Sequence, residues 1–253
     1  MKQLPVIVSL ICLCCVHAET IMLLAPDYPP FTPHGGRPGI WCELVSEAYA
    51  LEGITVQWTV YPIQRGNLMV SRGESLAIVN SEIAFDDTSS VFMPTASFFY
   101  VDVGVFFKGS RLPDSFRVDH PGQLSAWRVG GLRGTGSIQV MRTHNVPIEI
   151  SDTIESMTLK LSVDRLDMML LGDLTGLDAL HTYLPSVHQS YRYASVYQSP
   201  INLIFSRTFP DSRRYADFWA SGLSKLRSSG RYLEIIGSYY PDGKINPMVL
   251  IRP

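Results

Sequence analysis

Beyond its first eighteen residues this 253-residue chain keeps one cysteine, Cys42, of the four it starts with. One thiol closes no internal disulfide, so packing must supply the stability. About 235 residues is ample for such a core. A basic excess is missing too: 21 Lys and Arg face 23 Asp and Glu, a formal charge of −2 that becomes −3 without Lys2. Nucleic acid is therefore not an expected partner. No later apolar run approaches membrane length, because Asp164, Arg165, Asp167 and Asp173 interrupt the longest. His34, His120, His144, His181 and His188 are scattered without the paired spacing of a zinc site, so no metal and no cofactor are expected. A G-x-S-x-G elbow is absent. Cys42 sits in an amphipathic helical pattern with no histidine near it in sequence, which suits a packing residue better than a nucleophile. Repeats and low-complexity segments are lacking as well.

The first eighteen residues have a character of their own. Lys2 gives a positive start, "LPVIVSLICLCCV" an apolar core, and "VHA" small residues at the −3 and −1 positions of a cut after Ala18. That pattern predicts a secretory signal peptide over 1–18 and an exported protein. An uncleaved anchor is the alternative, although the run is short of the ~20 residues a span needs. Lipid attachment at Cys14 or Cys15 is disfavoured, since Leu13 and Cys14 stand where a small residue is wanted.

Short apolar runs alternate with helical patterns through the rest. "TIMLLA", "ITVQWTVY" and "SLAIVN" read as strands. "GIWCELVSEAYALEG" lies between the first two, with Ile40, Leu44, Val45, Ala48 and Tyr49 at helical spacing and Gly53 to close it. "IQRGNLMVSRG" reads as a short helix. After a polar stretch, Lys108–Asp119, the rhythm restarts with strands in "AWRVGGL", "IEI" and "MMLLG". Helices follow each in "RGTGSIQVMRTHN", "IESMTLKLSVDRLD" and "LTGLDALHTYL". "INLIFSR" is a further strand. In "PDSRRYADFWASGLSKLRSSG", Tyr215, Phe218, Trp219, Gly222, Leu223 and Leu226 form one stripe, with Asp211 as starter and Gly230 as stop. Two such βα series predict parallel sheets with packed helices, in two lobes with a cleft at the strand ends.

The ordered set "APDYPPF", "GIWCEL", "SRGESLAIVNSEI", "RVGGLRGTG", "VDRLDMMLLGD" and "SKLRSSGRYLEII" resembles the extracellular solute-binding proteins of polar amino-acid ABC transporters, family 3. The resemblance covers essentially all of the chain after residue 18. It implies a type II periplasmic-binding fold: α/β, with lobe one from 19–108 plus 198–253, lobe two from 109–197, and two crossovers near Lys108 and Tyr197. It also implies a monomer in the periplasm that closes on a small polar solute. The partner would be an ABC permease or, alternatively, a membrane sensor.

The resemblance carries a site over residue by residue. Tyr28 falls where an aromatic packs on the ligand, or else it is a surface tyrosine braced by Pro29 and Pro30. Asn80 and Glu82 fall on the loop whose polar groups bond the ligand. Thr135, Gly136 and Ser137 match a turn at a helix start whose free N–H groups favour an anion. Asp173 lies within one position of the carboxylate that holds an α-amino group, or it caps the helix "LTGLDALHTYL". The departure is at "IVNSEIAFDD". Where the family places an arginine for the ligand's α-carboxylate, this chain has Asp86 or Asp87. Losing a forked donor and adding a like charge costs an α-amino acid roughly 100-fold in affinity. The implied ligand is therefore a cationic or neutral polar compound, unless Asp86 and Asp87 face solvent and Arg65 or Arg133 takes a carboxylate instead. An enzymatic alternative uses Glu82 or Asp86 as general acid, as in a dehydratase branch of the same fold. Binding without turnover is the expectation.

Overall fold

The computed structural model describes residues 19–240; the expected leader, with its expected cut after Ala18, and residues from 241 onward lie outside the described residues. The run "TIMLLA" becomes β1 (Glu19–Pro26) and "ITVQWTVY" becomes β2 (Ile54–Tyr61), parallel and paired along their full lengths. Between them α1 (Ile40–Ala50) buries the stripe its spacing predicts, and Cys42 with it. Burial pushes the Cys42 thiol well up, so it stays a protonated packing group. Helix α2 (Ile63–Ser71) leads to β3 (Ala77–Asn80), which joins the other side of β1 in parallel.

The second series runs β6 (Val129–Leu132), α3 (Gly136–Thr143), β7 (Ile148–Ser151), α4 (Ile154–Ser162), β8 (Met168–Gly172) and α5 (Asp173–Tyr183). Two long strands connect the series, and the sequence pattern shows neither in full. Strand β5 (Phe99–Lys108) escapes because Asp102 interrupts its apolar run. Strand β9 (Tyr191–Ser206) extends far upstream of "INLIFSR", through polar residues and Pro200. A proline is tolerated there because β9 pairs only with β5 at that point and meets β3 from Asn202 onward. The order is β2-β1-β3-β9-β5-β8-β6-β7, with β4 (Val91–Phe92) on the end of β9. Pairing of β5 with β8 begins at Val103, before the polar Lys108–Asp119 stretch is reached.

Helix α6 (Ser212–Ser228) lies on α1, and α7 (Arg231–Gly237) follows after Gly230. The α1–α6 contact is close because Gly222 has no side chain: a Cβ there would sit 2.1 Å from the Ala48 carbonyl oxygen. Trp219 packs between Tyr49 and Phe98, with ring centroids 6.3 and 5.2 Å away. Two capping expectations need correction. Asp211 occupies the N-cap of α6 but makes no capping bond, because its left-handed backbone (φ 54°) turns the side chain elsewhere. Asp173 is the first residue of α5 rather than its cap; Gly172 holds the cap position. Among the described residues no helix is long and apolar enough to cross a membrane.

Candidate functional site

The strand ends of the two sheets face each other across a nearly shut cleft. Tyr28, just past β1, reaches over it: its hydroxyl accepts the Gly172 N–H at 2.8 Å, at the mouth of β8. The ring is buried and stacks on Phe31 and Trp41, each 6.0 Å away and within 20° of parallel. Burial drives the Tyr28 phenol pKa strongly up, so it is a neutral hydroxyl at every working pH. From the other sheet, the start of α3 presses against the 3-10 turn Glu82–Ala84. The approach depends on Gly136, whose absent Cβ would lie 3.1 Å from the Ile83 Cβ. Gln139 on α3 donates to Asp86 at 2.8 Å, a further bond across the cleft.

These contacts leave a central cavity of about 40 Å³, lined among others by Tyr28, Trp41, Asn80, Ser81, Thr135, Gly136, Ser137 and Ser199. That is room for little more than one water. Among the described residues no charged side chain lines it. Two of its polar groups, the Trp41 indole N–H and the Ser81 hydroxyl, are buried without a hydrogen-bond partner among the described residues. Groups in that condition cost about 1–3 kcal/mol each unless something bonds them. Ser137 is already engaged by the Tyr197 hydroxyl at 3.1 Å, and burial pushes the Tyr197 phenol up to about 12.

Five of the residues expected in the site therefore meet in one cavity: Tyr28, Asn80, Thr135, Gly136 and Ser137. Their bonding is partly internal. The Asn80 carboxamide donates to Asn67 at 2.9 Å and accepts the Ser81 N–H at 2.8 Å, which fixes the loop. Thr135 stands at the N-cap of α3 but spends its hydroxyl on the Leu132 carbonyl at 2.8 Å. Asp86 and Asp87 line a separate recess of about 410 Å³, shared with Arg133 and Gln139. Asp87 is exposed and accepts both the N–H and the hydroxyl of Ser89, at 2.8 and 2.7 Å, and those bonds hold its pKa down. Its charge is taken up by its own turn. Glu82 and Asp173 line none of these spaces, nor the groove described next.

That groove, of about 870 Å³, opens outward from the cleft and shares Ile63 with the central cavity. It runs between the end of β2 and the start of α2 on one side and α4 and α5 on the other. Arg65 and Arg133 both line it. Arg65 lies over the Tyr61 ring, 5.3 Å from its centroid. Arg133 is tied to Asp152 at 2.5 Å. The volume falls in the range of small-molecule sites. Among the described residues no three His, Cys, Asp or Glu side chains gather closely enough to hold a metal ion.

Solved structures with this arrangement of strands, helices and cleft are numerous. A histidine kinase sensor domain with similarity to periplasmic binding proteins superposes with a TM-score of 0.72 at 16% identity, covering 88% of this chain and 96% of the other. An ancestral arginine-binding protein bound to arginine gives 0.71 at 15%, covering 88% and 99%. The fold is the type II periplasmic-binding fold. A substrate-binding protein of an ABC uptake transporter from Streptococcus pneumoniae with bound histidine matches it at 0.70 and 15%, covering 89% and 93%. No protein-family model matches the chain, and no curated protein matches it in sequence.

Sequence reasoning missed Trp41, Ser81 and Ser199 as cavity residues. Ser81 stood in plain view beside Asn80. Trp41 lies in the "GIWCEL" segment but outside the stripe read there, and Ser199 falls in the polar half of β9, where nothing marks a strand.

Proposed function

We propose that this chain is an exported solute-binding protein whose two lobes close on a small polar solute. The observation that carries the reading is the cleft itself: contacts made across it, Tyr28 to Gly172 and Gln139 to Asp86, beside buried polar groups, the Trp41 N–H and the Ser81 hydroxyl, that none of the described residues satisfies. Closure of that kind is how binding energy becomes a conformational signal. Lobe one is taken as 19–108 with 198–253 and lobe two as 109–197, with the exact changeover inside the paired stretch of β5 and β9.

A standard α-amino acid is not the favoured ligand. No arginine follows β3, and Arg133, the alternative carboxylate partner, is held by Asp152. Delivery to an ABC permease in the periplasm is supported by the arginine- and histidine-binding structures of the same fold. A sensory role, reporting to a membrane receptor, is supported by the likeness to a kinase sensor domain. Binding rather than turnover is supported by the binding proteins that share the fold.

The test is a thermal-shift screen of the purified protein against polar metabolites. A ligand at 100 times its Kd adds about 2.7 kcal/mol, a rise of roughly 5–10 °C for a chain this size. A library that moves the melting temperature nowhere overturns the reading, and so does multiple turnover of any solute that binds.

A further inference from the structure

We infer that the cleft selects an uncharged solute by a hydrogen-bond-accepting head group, received in the central cavity by the Trp41 N–H and the Ser81 hydroxyl. The inference rests on the solute-binding reading and names the class of solute.

Trp41 on α1 and Ser81 just after β3 are 2% and 4% exposed, and neither side chain has a hydrogen-bond partner among the described residues. Both line the same cavity. The indole plane is set by near-parallel stacking on Phe31 and Tyr28, at 4.8 and 6.0 Å. The other polar groups there are already committed. Asn80 is held by Asn67 and the Ser81 N–H, Thr135 bonds the Leu132 carbonyl, and Ser137 is met by Tyr197. What stays unmatched is an N–H that can only donate and a hydroxyl that can do either. A solute group that meets both must accept, as the oxygen of a carboxamide, ketone or hydroxyl does.

Charge decides among the candidates. An ammonium group has no lone pair for the indole N–H, and no carboxylate among the described residues lines the cavity to receive it. A carboxylate accepts well, but no Arg or Lys among the described residues lines the cavity. Arg133, in the groove outside, is tied to Asp152. Stripping water from a full charge costs more than two bonds from neutral donors return. The phenols of Tyr28 and Tyr197 stay protonated at neutral pH and supply no charge either. An uncharged head avoids both penalties. At about 40 Å³ the cavity admits only that head, and the larger groove, which shares Ile63 with it, receives the rest.

The experiment is calorimetry of the purified protein with probes matched in shape: nicotinamide, nicotinate and 3-picolylamine, then propionamide, propionate and propylamine. The expected result is saturable binding of an amide, roughly tenfold or more tighter than its acid or amine. Ser81→Ala and Trp41→Phe should each weaken it about fivefold to tenfold. Ligand-free Ser81→Ala should melt no lower than wild type, because an unmet hydroxyl is removed. A merely structural serine would lower it. If Trp41→Phe loses packing and fails to fold, Ser81→Ala alone decides. An acid or amine that binds tighter than its amide overturns the inference while the solute-binding reading stands. Amide binding indifferent to both substitutions overturns the site. If no probe binds but a solute of the wider screen does, an uncharged one weakened by Ser81→Ala upholds the inference and any other overturns it. If nothing binds, both fall.

Discussion

Gln139 and Asp86 meet at 2.8 Å, an amide on the first helix of one sheet bonded to a carboxylate on the loop that leaves the other. On the closure proposed above, the contact exists only while the cleft is shut. Because it is exposed, it contributes about 1 kcal/mol to closure rather than the larger value of a buried charged bond. Asp86→Ala should therefore leave the melting temperature nearly unchanged while shifting molecules toward an open form. Small-angle scattering should record a larger radius of gyration for the variant. Identical scattering from the two proteins would remove the latch role.

Gly222 against Ala48 makes a different prediction, about folding. A Cβ placed 2.1 Å from a backbone carbonyl cannot be accommodated by a side-chain rotation. The helices must separate, so Gly222→Ala should lose about 1–3 kcal/mol. Urea unfolding should show a lower midpoint with an unchanged slope. A neutral Gly222→Ala would mean that α1 and α6 sit farther apart than described.

Acid stability follows from the cluster of Lys108, Arg111, Arg128, Asp164 and Asp167. The bonds from Arg128 hold the Asp167 carboxyl below the usual range, as Lys108 does for Asp164. A depressed carboxyl pKa contributes stability that is present above the unfolded value, about 3.9, and lost as pH falls through the folded one. Asp167→Asn should thus lower the melting temperature by about 2–4 °C at pH 7. The difference from wild type should shrink as pH falls below that unfolded value and through the lower folded one. A gap that persists there would mean that packing, not charge, accounts for the loss.

Much of this architecture is legible in the sequence, because wherever one face of an element is buried its period appears in the residue pattern. The α1 stripe and the β2 run are cases in point. The two connecting strands are not legible for the same reason reversed. Their hydrogen bonds are long-range, β5 to β9, and their residues alternate by no single rule, since β9 serves both sheets and β5 is buried along most of its length. The site was legible as positions but not as contacts. Asn80 and Thr135 stand in the cavity, yet no pattern reveals that one is bound to Asn67 and the other to Leu132. Asp87 illustrates the limit. Its charge reads as a feature of the cleft until Ser89, two residues on, is seen to absorb it.

The pairing of β5 with β9 has a mechanical consequence. The two segments joining the halves of the molecule are stitched to each other from Phe99 to Lys108, with one irregularity between Val103 and Gly104. Separate tethers would let the halves slide, shear or roll. A stitched ribbon resists all of these and yields in only one sense, flexing across its width like a leaf spring. On the solute-binding proposal, opening of the cleft is thereby reduced to a single angle, and a partner that gauged this angle would learn whether the cleft is filled without touching what fills it.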